Sequence, residues 1–190
     1  MEKRFTEIWT QAVKRKGADT LLAWLKTSDF FRAPASTKFH GSYAGGLCEH
    51  SVHVYDRLVE LVNATMPEDQ RPSDETIAIV ALCHDLCKTN VYGVELRNRK
   101  NEQTGQWEKY PAYTFEDKLG MGHGEASMYI ASSFMVLSRE EALAIRWHMG
   151  FSDCAVKGGE RAINTAWEQY PLGMLLHAAD LAATFMDEAR

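Results

Sequence analysis

The chain has 190 residues, 45% of them hydrophobic and 25% charged, with a formal net charge of -5. That length fits one domain with a real core, and that balance excludes a disordered chain. An acidic chain offers no general field for long nucleic acid, so a polyanion has to meet a local basic patch or a metal.

Met1-Glu2-Lys3-Arg4 runs straight into an amphipathic stretch with no apolar signal-peptide core. No segment reaches the roughly 18 apolar residues that span a bilayer, so the expected location is cytoplasmic, with no membrane partner. Phe5, Ile8, Trp9 and Val13 form one helical stripe. Leu21, Leu22, Trp24 and Leu25 form another, ending near Thr27-Ser28. Residues 31–47 read as a loop, punctuated by Pro34, Gly41, Gly45 and Gly46. Val52, Tyr55, Val59 and Val62 step by three and four, which starts a helix near His50. Ser73 caps the next helix, and Asp74 and Glu75 suit its positive end. The run from Ile77 to Cys87 is apolar on nearly all sides, as a buried central helix must be.

Val91, Tyr92, Val94 and Leu96, then Trp107, Tyr110, Tyr113 and Phe115, flank Asn101-Glu102-Gln103-Thr104-Gly105. This predicts a β-hairpin over about 90–117. A helix is expected over about 123–136. Ser138 and Glu141 form a capping box that opens another, ending near His148. The last follows Pro171 and carries Leu172, Leu175, Leu176, Ala179 and Ala183 on one stripe. The fold class is therefore all-α with a small inserted hairpin.

The four cysteines, Cys48, Cys83, Cys87 and Cys154, make no CxxC pair and no disulfide framework. Cys83 and Cys87 flank His84 one turn apart, which allows a Cys/His zinc site; buried free thiols are the plainer reading.

His84 and Asp85 are the strongly polar members of an otherwise apolar run. An ionised Asp buried there needs a cation, and both Lys88 and a divalent metal qualify. A buried His–Asp pair with a structural role is the alternative. Four further residues join them. His50 opens a helix, His123 lies between Gly122 and Gly124, His148 ends the capped helix, and Asp180 sits on an apolar stripe one turn after His177. Singly, such histidines are ordinary loop or helix-end residues. Together they describe a metal site. Imidazole plus carboxylate suits Zn, Mn, Fe, Co or Ni, and Mg stays open; one or two ions fit, with Asp85 as a bridge. In the hairpin, Arg97, Arg99, Lys100 and Lys109 interleave with Trp107, Tyr110 and Tyr113. Cations and aromatics suit a phosphorylated base, while a solvated edge hairpin needs no ligand. Lys38 and Arg146 are further phosphate contacts or plain surface charges.

The order His50, His84-Asp85, Asp180 resembles the HD-domain phosphohydrolases, which are all-helical. Within that superfamily the chain is similar to the catalytic domain of YhaM-type 3′–5′ exoribonucleases. The likeness lies in His40-Gly41-Ser42-Tyr43, Gly45 to Ser51, Ala81 to Lys88, Gly122-His123, Trp147 to Gly150 and Leu176 to Asp180. Residues 28–34 also resemble small HD proteins of bacteria and their phages. The resemblance implies a single HD domain over 1–190, with an N-terminal helical extension (1–37) and an HD core (38–190). It implies that His50, His84, Asp85 and Asp180 bind a primary metal. His123 and His148 take a second metal or the substrate phosphate, and Lys88 steadies phosphate charge. Asp85, Lys88, His123 and His148 are then the catalytic set. His40, Lys38, Lys88, Arg97, Trp107 and Tyr113 are the substrate contacts. Two departures shape the expectation. Met149 stands where the family often pairs histidines, and the chain has no counterpart of the RNA-binding domain that accompanies the exoribonucleases. The expected activity is hydrolysis of a nucleotide or short oligonucleotide phosphoester, with long nucleic acid a poor partner. A cyclic-nucleotide or dinucleotide phosphodiesterase, an exoribonuclease and a non-catalytic nucleotide sensor are the alternatives.

Overall fold

The computed structural model describes residues 1–188. Helices α1 (Glu2–Ala12), α2 (Ala18–Thr27), α3 (Gly46–Thr65) and α4 (Asp74–Cys83) precede the hairpin β1 (Tyr92–Lys100) and β2 (Trp107–Phe115). Helices α5 (His123–Phe134), α6 (Arg139–Trp147), α7 (Cys154–Lys157), α8 (Ala162–Gln169) and α9 (Leu172–Ala182) follow. The protein is thus mostly helical, with one antiparallel two-stranded sheet among the described residues.

Helix α4 is the axis. Every residue from Ile77 to Cys83 is buried, and a helix apolar all round is stable only when surrounded. It is packed by α1, α3, α5 and α6, while α3 and α6 also pack against α9. One continuous core joins Phe5 and Trp9 of α1 to Leu58, Ile79, Ile145, Leu176 and Ala183. The expected caps form: the Ser73 hydroxyl accepts from the Thr76 N–H, and Ser138 and Glu141 make the reciprocal box.

Two boundaries differ from expectation. Helix α3 begins at Gly46, four residues before His50 (50 − 46 = 4). Gly46 lies so close to Gly41 that a Cβ would overlap the Gly41 carbonyl, and this contact starts the helix early. Helix α4 ends at Cys83 and does not continue to Cys87. Asp85 takes φ -109° and ψ 20°, and Leu86–Lys88 is a single 3-10 turn. That backbone region is sparsely allowed and common at functional sites. Helices α7 and α8 are not among the expected elements; both are short, and α8 buries only Ile163 and Ala166.

The hairpin pairs Tyr92 with Phe115 through to Lys100 with Trp107. Its turn is closed by the Asn101 side chain, which accepts from the Gln103 and Thr104 N–H groups. Its base is anchored: the Asn90 N–H donates to Asp29 at 2.6 Å, and the Tyr92 hydroxyl donates to the Ala35 carbonyl. No helix of the described residues is long and apolar enough to cross a membrane.

Candidate metal centre

The broken end of α4 places His84 and Asp85 where several other helix ends meet. His50 comes from the first turns of α3, His123 starts α5, His148 caps the C-terminus of α6, and Asp180 projects from α9. All six expected residues come together. His40 also stacks on His50, with ring centroids 4.8 Å apart.

The ring tautomers follow from the backbone. His84 Nδ1 lies 2.7 Å from the Ala81 carbonyl, and His148 Nδ1 lies 2.7 Å from the Ile145 carbonyl. A carbonyl only accepts, so both Nδ1 atoms carry hydrogen and both Nε2 atoms are free to coordinate. His50 Nδ1 likewise donates to Glu188 at 3.0 Å. The Nε2 atoms then converge on Asp85. Its Oδ2 lies 3.4 Å from His84 Nε2, 3.6 Å from His50 Nε2 and 2.7 Å from Lys88 Nζ. Its Oδ1 lies 2.7 Å from His123 Nε2 and 3.8 Å from His148 Nε2. Asp180 Oδ1 is 3.2 Å from His50 Nε2.

This arrangement is unsatisfied by protein alone. His50 Nε2 and His84 Nε2 face each other at 3.3 Å, which requires a proton or a cation near both lone pairs. His148 Nε2 is buried with no hydrogen-bond partner, as is His40 Nε2. Such orphans in a buried site demand an explanation. A divalent metal supplies one, because it takes imidazole nitrogen and carboxylate oxygen together. Four overlapping sets could hold an ion, the donor atoms within each set lying within 4.8 Å of one another: His40/His50/Glu188, His50/His84/Asp180, His84/Asp85/His148 and Asp85/Cys87/His123.

The protonation states show the same tension. Burial and the neighbouring His84 and His123 push His148 down to about 3. Burial and His50 push His40 down to about 4. Burial opposes a charge on His50, yet Asp180 and Glu188 hold it up at about 9. His123, also opposed by burial, is raised to about 10 by Asp85 and Cys87. Asp85 stays well below the usual carboxylate range despite burial, through Lys88 and His84.

A cavity of about 290 Å³ opens onto this cluster, lined by His40, Asp85, Lys88, His123, His177 and Asp180 among others. The remaining expected contacts divide. Lys38, Arg97 and Tyr113 line a separate cavity of about 270 Å³ between the 37–42 loop and the hairpin. Trp107 is not brought to either cavity; it sits at the far end of the hairpin, 72% exposed. Arg146 is neither a surface charge nor a free phosphate contact. It is buried, paired with Glu125 and Asp153, and stacked on Trp147.

Two participants, His177 and Glu188, were not among the expected site residues, and Cys87 was weighed only as a ligand beside His84. His177 donates Nδ1–H to the His148 carbonyl at 2.7 Å and lines the cavity; its spacing one turn before Asp180 was the available signal. Glu188 orients His50 and His53 from beyond α9, with no periodicity to mark it. Cys87 touches His123. All seven histidines of the chain thus lie in or against this one region. No family model, no curated protein and no solved structure matches the chain.

Proposed function

We propose that the chain is an HD-type metal-dependent phosphohydrolase acting on a nucleotide or short oligonucleotide phosphoester. The observation that carries this reading is the set of imidazole Nε2 atoms turned onto one buried carboxylate, with His148 Nε2 left without a partner. Within the HD reading, residues 38–190 form the core of a single domain and residues 1–37 its helical extension.

His50, His84, Asp85 and Asp180 hold the primary cation, with His123 and His148 beside it. A bound divalent cation supplies Lewis acidity toward a phosphoryl oxygen and an attacking water. The chain's own residues do the rest. Lys88 Nζ, 2.7 Å from Asp85 and lining the cavity, is the positive charge that would meet a phosphate there. His40, half-buried and kept neutral, offers a hydrogen bond without adding charge. His177 presents its Nε2 to the cavity because Nδ1 is committed to the His148 carbonyl. The cavity volume of about 290 Å³ falls at the small end of ligand sites, which favours a compact phosphoester over a threaded polymer. Lys38, Arg97 and Tyr113 would then meet a second phosphate or a base of the same ligand.

The deciding experiment is a screen of mononucleotides, cyclic nucleotides, dinucleotides and short oligonucleotides with Mn, Co, Ni, Fe, Zn and Mg, set against long single-stranded RNA at about 150 mM salt. The expected result is release from small substrates with weak length dependence. Processive degradation of the long RNA, with nothing released from small nucleotides, favours an exoribonuclease; tight nucleotide binding without turnover favours a sensor.

A further inference from the structure

The sheet stops at two strands, and its two outer edges differ. The Asn101 N–H donates to the Gln106 carbonyl at the turn, and the Glu116 N–H donates to the Val91 carbonyl at the base. With the register of Tyr92 on Phe115 through Lys100 on Trp107, these bonds fix the alternation. Odd-numbered residues of β1 bond to β2, and Tyr92, Val94, Leu96, Asn98 and Lys100 turn their N–H and C=O groups outward. On β2, Pro111 pairs with Leu96 and so holds an outward position, where it has no N–H to offer. A proline there blunts the β2 edge against further strands, and β1 carries none. A two-stranded sheet by itself is marginal, whereas three or more strands with an apolar face are stable. This hairpin has such a face, and it is open: Val94, Leu96, Trp107 and Phe115 are exposed on the same side as Pro111.

The side chains of β1 identify what completes the sheet. Glu95 and Arg97 share the opposite face, 2.6 Å apart and 50% and 41% exposed. Antiparallel pairing of β1 with β1 of a second copy, centred on Leu96, sets Leu96 against Leu96. It also puts each Glu95 directly opposite Arg97 of the other copy. The same register brings Tyr92 opposite Lys100, a ring beside an ammonium. Sliding one strand by two residues opposes Glu95 to Glu95 or Arg97 to Arg97, a juxtaposition of like charges that is destabilising. Sliding it by one residue sets outward groups against inward ones, and the ladder fails.

We propose that the free edge of β1 is a homodimer interface. Two copies form one four-stranded sheet about a two-fold axis at Leu96, with the two β1 strands inside and the two β2 strands outside. Both outer edges are then blunted by Pro111, so assembly closes at two chains rather than growing into a fibre. The inference is independent of the metal and hydrolase readings.

Sedimentation velocity of the full chain over a concentration series tests it. The expected result is a reversible species of twice 21.5 kDa that grows with concentration. Glu95→Arg and Arg97→Glu each set like charges opposite one another in two symmetry-related pairs, and each should raise the dimer Kd by about tenfold or more. The double variant Glu95→Arg/Arg97→Glu restores both pairs and should return the Kd toward its original value. Leu96→Pro removes an outward N–H and no bond to β2, so it should leave a monomer. The charge exchange guards against a misfolded hairpin, because lost structure is not repaired by swapping two charges. A chain that stays monomeric at every concentration overturns the proposal, and this outcome needs no variant to fold. A dimer that Leu96→Pro leaves unweakened overturns it as well, as does a double variant no tighter than either single one.

Discussion

His84 and Asp85 are both enclosed, yet their removal has different consequences. His84→Ala deletes one nitrogen donor. Asp85→Ala deletes the acceptor shared by Lys88 and His123, leaving two cationic groups facing one another in a buried space. Both variants are expected to lose bound metal and turnover together, and elemental analysis of the purified proteins checks this; full metal content in Asp85→Ala would falsify the reading. His148→Ala should retain more metal than His84→Ala while losing most turnover, because His148 Nε2 lies 3.8 Å from Asp85 and His84 Nε2 lies 3.4 Å. Metal content of His148→Ala as low as that of His84→Ala would place it in the primary position. At this scale the sequence was readable where polarity broke a pattern. His84-Asp85 interrupts an apolar run, and Asp180 interrupts an apolar stripe. Cys87 was weighed as a zinc ligand beside His84 and read more plainly as a buried thiol; its contact with His123, 36 residues away, was not legible. Glu188 belongs to no repeating pattern at all.

Among the elements, α5 depends on a single small residue. A Cβ on Gly124 would overlap the Arg146 carbonyl of α6, so the first turn of α5, which carries His123, can approach only with glycine there. Gly124→Ala should destabilise by about 1–3 kcal/mol as an overpacked contact. That corresponds to a melting-temperature fall of roughly 2–4 °C per kcal/mol for a chain of this size. It should also weaken whatever His123 binds, and a thermal melt with and without zinc measures both effects. The hairpin behaves differently. No residue of β1 is buried, and Val94 and Leu96 are 65% and 67% exposed, so β1 adds little to the core. Deleting the segment between Val94 and Phe115 should leave bound metal intact and raise KM for a nucleotide; unchanged KM would show that the Lys38/Arg97/Tyr113 cavity takes no part. Hairpin, caps and most helices were legible, since each rests on local chemistry. The early start of α3 and the break after Cys83 were not, because they arise from Gly41–Gly46 contact and from the convergence of distant helix ends.

For the molecule as a whole, Arg15 is the electrostatic tie. It follows α1 and bonds Glu75 of α4 at 3.1 Å and Glu141 of α6 at 2.6 Å. The Glu141 side chain is fully buried, while Arg15 keeps 23% exposure. Arg15→Met should therefore destabilise by about 3 kcal/mol, the low end for stranding a buried charge. Chemical denaturation measures it, and metal content should not change, since Arg15 is remote from the cluster. A loss below about 0.5 kcal/mol would place the pair among surface contacts. The union of residues 1–37 with the rest could be guessed from two apolar stripes, but not the partner each would find.

The packing of α3 on α9 sets a timetable for the protein's birth. His50 and Asp180 meet at 3.2 Å, yet 130 residues separate them along the chain (180 − 50 = 130). At about 5–20 residues per second, a ribosome needs roughly 7–26 s to pass from one to the other. For most of that interval His50 and His84 are already made, while the apolar flank of α3 that α9 will cover has no partner. The nascent chain thus carries loose imidazoles before it has a cage, and whatever ion they catch early is held without Asp180. On the proposed metal reading, selection among competing ions is a late event, imposed only when the final helix docks, and folding must wait on a contact of long sequence separation, the kind that slows two-state domains most.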